Sequence, residues 1–241
     1  KVLTDFLLKM GTTLQVKCVN NGRYNVFYVA DDEYIGPTIA AGYEWDEWMR
    51  KDVKRYYKEG TEILDIGANI GYNSLMFSDY GPVYAFEPLF HKVVTLNVEN
   101  NKLKHNMYVV PIALSDENKT IDMYFPNVVE ATGLRNYGGS STQKTDGMDE
   151  STKTTVSCHR LDDIYKGRVS LIKIDVEGHE LEVLKGAENT IKKYMPTLLI
   201  EIFDFENNEV PKYLKSLGYD DPEERPEHVY LYRAKDIFST M

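Results

Sequence analysis

From residue 61 onward, short apolar runs alternate with longer amphipathic stretches, and no other feature restricts the fold as much. Residues 62–66, 83–86, 107–114, 170–174 and 196–203 are runs of strand length, bounded by turn residues. Between them, 70–80, 88–101 and 180–194 carry the spacing expected of helices, and 210–217 reads as a short helix stopped by Gly218. Residues 228–232 form a last strand, expected to be antiparallel. Repeated strand–helix units with right-handed crossovers make a doubly wound, mostly parallel α/β sheet with helices on both faces.

Before this region lies a smaller unit, 1–59. Residues 13–19 alternate apolar and polar, Asn20-Asn21-Gly22-Arg23 supplies a turn, and 24–29 returns, so a hairpin is predicted. Gly36-Pro37 is expected to break the chain, and 43–58 to form a helix on the spacing of Trp45, Trp48, Met49, Val53 and Tyr56. This unit is too small to stand alone and should pack on the main domain, 60–241. Residues 119–125 alternate and suit an added strand. The stretch 126–155 is polar and glycine-rich, an insertion long enough to be either a mobile surface loop or a lid over a substrate.

Composition removes several classes. Lys and Arg total 28 against 38 Asp and Glu, a net charge of −10, which disfavours a general nucleic-acid binder. No run of 18 apolar residues occurs, so no membrane-spanning helix is expected. The two cysteines, Cys18 and Cys158, offer neither a disulfide framework nor zinc spacing, and fit a reducing, cytoplasmic setting. A chain beginning at Lys1 is expected to be a domain of something longer.

The turn after the first strand of the main domain carries the chemistry. In Asp65-Ile66-Gly67-Ala68-Asn69-Ile70-Gly71, Gly67 permits a sharp turn and close approach to a ligand, and Asn69 tolerates left-handed geometry. Twenty residues after Gly67, Glu87 ends the second strand, where an acid can accept hydrogen bonds from ribose hydroxyls. A dinucleotide site favours three glycines and a phosphate at the helix end. A carboxylate beside the loop suits instead the cationic end of S-adenosylmethionine, which favours a methyl donor over NAD.

These motifs resemble the FkbM family of S-adenosylmethionine-dependent methyltransferases. The resemblance rests on Ile63-Leu64-Asp65-Ile66-Gly67-Ala68-Asn69-Ile70-Gly71-Tyr72, on Val83-Tyr84-Ala85-Phe86-Glu87-Pro88 and on Leu161-Asp162-Asp163. It continues through Ile172-Lys173-Ile174-Asp175-Val176-Glu177-Gly178-His179-Glu180 to Ala187, and ends with Glu201 on the next strand. It implies a class I, Rossmann-like fold and O-methylation of a sugar, a glycan or a small natural product, within a larger glycan-modifying protein. It also implies a cofactor map. Asp65, Gly67, Ala68, Asn69 and Gly71 would frame the methionine part, Glu87 the ribose, and Ala113, Leu114 and Ser115 the adenine. Asp175 would stand near the methyl group, and Tyr43-Glu44 would close over the cofactor. An NAD-dependent oxidoreductase is the alternative on the same kind of sheet.

Methyl transfer to a hydroxyl needs alignment and a route for the proton. His179 is the natural base, Glu177 a second candidate or a ligand for substrate hydroxyls, and Asp175 a strand-end acid near the donor. Asp175 and Glu201 end neighbouring strands and could instead hold Mg²⁺ or Mn²⁺, with Asp204 close behind. Loss of Glu87 is expected to weaken donor binding and to leave the stability of the empty protein nearly unchanged.

Overall fold

The computed structural model describes residues 3–7, 13–127, 132–144, 148 and 153–235. The N-terminal unit begins with an antiparallel sheet of β1 (Leu3–Leu7), β2 (Thr13–Asn20) and β3 (Asn25–Val29). Its β2–β3 turn is closed by the Asn21 side chain, which accepts from the backbone of Arg23 and Tyr24. The predicted hairpin is therefore two strands of three. Two short helices follow, α1 (Ile35–Ala40) and α2 (Met49–Tyr56).

The main sheet has seven strands. They comprise β4 (Glu62–Ile66), β5 (Val83–Phe86), β6 (Met107–Val110), β10 (Val169–Ile174), β11 (Thr197–Glu201), β12 (Glu223–Glu224) and β13 (Val229–Tyr232), in the order β12-β13-β11-β10-β4-β5-β6. Pairing is parallel from β6 through β11 and antiparallel at β13. Strand parity sorts the side chains onto two faces. Ile63, Leu171 and Leu199 pack on the face covered by α2, α3 (Tyr72–Phe77) and α4 (His91–Glu99). Leu64, Ile66, Ile172 and Ile200 pack on the other, under α6 (Glu180–Gly186), α7 (Glu188–Tyr194) and α8 (Val210–Ser216). A short helix, α5 (Leu161–Ile164), adds Leu161 to that second layer. The chain leaves β4 toward β5 and leaves β10 toward β11, in opposite directions. The crevice that opens between β4 and β10 is where ligands bind in such sheets.

Several predicted elements take a different form. The 43–58 helix starts only at Met49, because Asp46 sits in left-handed conformation at φ 49°. Gly36-Pro37 does not break the chain but lies in the first turn of α1, where proline has no helical hydrogen bond to lose. The 107–114 strand ends at Val110 before Pro111. Ala113–Leu114 is β7, which joins β9 (Lys153–His159) and β8 (Lys119–Tyr124) in a separate sheet, order β7-β9-β8. The added strand at 119–125 thus finds its partner in a strand at the end of the supposed insertion. The 180–194 helix divides after Gly186, where a Cβ would meet the Ser115 carbonyl oxygen at 1.9 Å. Among the described residues no helix is long and apolar enough to cross a membrane.

The N-terminal unit is held to the main domain by buried polar contacts. The Asn97 side chain on α4 accepts from the Phe27 backbone at 2.7 Å and donates to the carbonyls of Phe27 and Ile70. One side chain thus ties β3, α4 and the glycine turn together, in a layer where unpaired polar groups would be costly.

Candidate active site

The turn from β4 into α3 is seated directly on β10. Gly67 has φ 79°, and a Cβ there would meet the Asp175 carbonyl oxygen at 1.8 Å, so no other residue fits. Its N–H and that of Ala68 donate to the Phe86 carbonyl at 3.0 and 3.1 Å. Asn69 takes left-handed geometry, φ 52°, and its N–H donates to Glu87 Oε2 at 2.9 Å. The other Glu87 oxygen accepts from Leu89 and Phe90 at 2.7 and 2.9 Å. Glu87, expected at a strand tip as a ribose ligand, is the buried acceptor that joins the glycine turn to the start of α4. Burial pushes its carboxyl up to about 7, against three backbone donors that pull it down. A role confined to donor binding, with little effect on the empty protein, does not fit this bonding.

Asp65 lies below the turn and is absent from the cavity wall. By strand parity it shares the face of Ile63, and there it is fully buried, accepting from Ser74 Oγ and lying 3.7 Å from Lys173 Nζ. Burial raises its carboxyl, and Lys173 opposes the shift. It supports the glycine turn from beneath instead of facing a cofactor.

Lys173, which sequence reasoning treated only as part of a strand, is the centre of this network. Its side chain is 5% exposed on β10. The ammonium group reaches Asp175 Oδ2 at 3.0 Å, the Gly67 carbonyl at 3.2 Å and Asp65 at 3.7 Å. The surrounding carboxylates raise its pKa despite burial, so it is a fixed positive charge. Part of the signal was present in the sequence, a lysine in the middle of an apolar strand; its register with Asp65 is set by the sheet.

Asp175 follows β10, and Glu201 ends β11. With Glu177 they bring carboxylate oxygens within 4.8 Å of one another. Glu177 is held at φ 52°, an uncommon conformation for a residue other than glycine. Burial and the Asp175 charge push its carboxyl up to about 8. Glu201 is also raised, by burial and by Asp175 beside it. One divalent cation could bridge the three groups; a shared proton, with the Lys173 ammonium alongside, relieves the same repulsion using groups already present. Asp204 is not in this cluster and bonds Asn207. His179 Nε2 lies 2.9 Å from Ser115 Oγ, and Nδ1 lies 3.8 Å from Glu182. Burial lowers its pKa.

A cavity of about 340 Å³ joins these parts. Gly67, Ala68, Asn69, Glu87, Ile112, Ala113 and Leu114 line it, together with Asp175, Glu177, His179 and Glu201. Its volume is in the range of small-molecule sites. The apolar wall at 112–114 and the glycine turn fit an adenosine moiety. Ser115 is not on the wall; it is fully buried behind it against His179. Gly71 caps α3 and also lies off the wall. Glu44 does not close over the cavity, because its carboxylate pairs with Arg23 and Arg50, both at 2.9 Å; Trp45 takes that place on the wall.

The described part of the insertion covers the cavity, with Asn136, Tyr137 and Ser140 on the wall. Tyr137 packs edge-on against Phe90 and Phe125, and its hydroxyl donates to Asp31. Ser141 Oγ and Gln143 Nε2 donate to the carbonyls of Glu177 and Gly178. Residues 132–144 thus strap the N-terminal unit to the turn that carries Glu177.

Known proteins are similar to this chain. AglP of Haloferax volcanii, a hexuronic acid methyltransferase, is 32% identical over 149 residues, 59% of this chain and 58% of that protein. Methyltransferase sdnD of Sordaria araneosa is 26% identical over 198 residues, 68% of this chain and 76% of that one. The crystal structure of methyltransferase FkbM from Methylobacillus flagellatus KT superposes with a TM-score of 0.50 at 18% identity, covering 73% of this chain and 44% of that chain. This chain therefore spans about half the length of AglP and of the M. flagellatus protein. The fold is that of the class I methyltransferases. Residues 65–220, from the acid under the glycine turn to the last helix, match the Methyltransferase FkbM domain, and the chain belongs to that methyltransferase family.

Proposed function

We propose that this chain transfers a methyl group from S-adenosylmethionine to a hydroxyl of a sugar ring. The observation that carries this reading is the cavity at the crevice between β4 and β10. Its wall combines a glycine turn and a buried acid with a cluster of hydrogen-bonding acids. The glycine turn, Glu87 and the wall at 112–114 hold the nucleoside part. When bound, the donor supplies an electrophilic methyl group. Asp175, fixed by Lys173, orients the acceptor hydroxyl. Glu177, with its carboxyl near 8, takes the proton, because a base works best when its pKa is close to the working pH. His179 is held against Ser115 and supports the turn. AglP acts on hexuronic acid, which favours a sugar as the acceptor class over a small natural product.

Isothermal titration tests the donor. Micromolar binding of S-adenosylhomocysteine with none of NADH is expected, and the reverse would replace this reading by an NAD-dependent oxidoreductase. A second reading, Mg²⁺ or Mn²⁺ held by Asp175, Glu201 and Glu177, is favoured by their spacing. Activity undiminished in chelator is expected here. Loss restored by either metal would select the second reading.

A further inference from the structure

We propose that the acceptor ring carries no negative charge, and that this cavity turns away uronates while accepting neutral sugars of the same shape. The inference rests on the sugar-methylating reading above and narrows it. Among the described residues, Lys173 is the one lysine or arginine on the cavity wall. Its ammonium is already committed to Asp65, Asp175 and the Gly67 carbonyl, and it is buried beneath them. No lysine or arginine among the described wall residues is therefore left to pair with a substrate carboxylate, and burial disfavours the charged form of His179, the other basic side chain there. Arg135 and Lys144, on the insertion, are not on the wall, and Arg135 lies over the Tyr137 ring. The parts of the insertion outside the described residues contain Glu130, Asp146, Asp149 and Glu150 and no lysine or arginine.

The charge already present points the same way. Asp175, Glu177 and Glu201 crowd together on the wall, and a further carboxylate beside them would meet like charge in a partly buried site. A neutral polyol avoids this conflict: each hydroxyl both donates and accepts, so it serves ionised and protonated carboxyls alike. At the mouth, Phe203 is 60% and Tyr34 48% exposed, and both line the cavity. Exposed rings of this kind offer an uncharged platform to the apolar face of a sugar.

Matched sets of three acceptors test the proposal: a methyl glycoside, the corresponding uronate and its uncharged uronamide, each in the gluco, galacto and manno series. Labelled S-adenosylmethionine reports transfer. In at least one series the glycoside and the uronamide are expected to be methylated, with kcat/KM for the uronate lower by about 100-fold or more. Phe203→Ala should raise KM for the neutral acceptor several-fold and leave kcat within about twofold. A uronate turned over as well as its uronamide would overturn the proposal and leave sugar methylation standing. If S-adenosylhomocysteine binds but no sugar in any series is methylated, the sugar reading and this proposal both fall. If S-adenosylhomocysteine does not bind, the donor assignment is what has failed.

Discussion

Glu87 and Lys173 each carry several bonds that no neighbour can replace. Removing the Glu87 carboxylate leaves the N–H groups of Asn69, Leu89 and Phe90 without their acceptor. Unsatisfied buried donors cost about 1–3 kcal/mol each. Glu87→Ala is therefore expected to lower the stability of the empty protein by at least about 2 kcal/mol, read by denaturant unfolding. Affinity for S-adenosylhomocysteine should fall at least about tenfold, read by titration. Lys173→Met leaves Asp65 and Asp175 facing each other without a cation. Breaking a buried pair costs about 3–5 kcal/mol, and a fall of that size in unfolding free energy is expected. A stable Lys173→Met protein with full activity would show that the ammonium group has no such role.

Glu177 carries the pH prediction of the proposed mechanism. If it takes the proton, kcat/KM should rise with pH along a limb centred near 8, and Glu177→Gln should remove that limb. A limb below 6.5, lost in His179→Ala, would assign the proton to His179 instead, since burial moves that ring downward from 6.5. The same shift bears on stability. A carboxyl that ionises near 4.5 when unfolded and near 8 when folded holds its proton more tightly in the folded state. Its contribution is fully present below about 4.5 and is lost as pH rises through 8. Glu87, near 7, and Glu201, also raised, act in the same direction. The empty protein is thus expected to lose stability from mildly acid to mildly alkaline pH, and Glu177→Gln should flatten that decline.

At the scale of elements, the seat of the glycine turn decides whether a cofactor site exists. Gly67→Ala would place a methyl group 1.8 Å from the Asp175 carbonyl oxygen and keep a positive φ. The turn must lift off β10, so loss of S-adenosylhomocysteine binding is expected; an unchanged dissociation constant would contradict the seating. Most of the parallel strands and the order of the cofactor motifs were legible, because short apolar runs and the glycine turn are local signals. Some failed boundaries had local causes, Asp46 and Pro111 among them, and others involve contacts distant in sequence. At Gly186, where one helix ends, the Ser115 backbone leaves no room for a Cβ, and no periodicity between 180 and 194 reports that. Strand β9 was hidden inside a polar stretch because its partner, β8, lies across the insertion. Asp65 was misplaced for a different reason. Its parity with Ile63 was available, but the acid was read for its charge and not for the face it occupies, and its register with Lys173 emerged only with the sheet.

Across the whole molecule, the N-terminal unit and the insertion complete the cavity that the sheet begins. Tyr34, Ile35 and Trp45 come from one and Asn136, Tyr137 and Ser140 from the other, and Tyr137 joins them through Asp31. Part of the cavity wall comes from elements outside the parallel sheet, which the cofactor motifs do not report, so the acceptor was not legible from those motifs. The most direct test of the account uses S-adenosylmethionine with a carbon-13 methyl group and a neutral methyl glycoside. Nuclear magnetic resonance of the product is expected to show one labelled methyl ether on a ring hydroxyl, formed by the intact protein and strongly reduced in Glu177→Gln. Label on nitrogen or carbon, or no transfer by protein that binds S-adenosylhomocysteine, would contradict it.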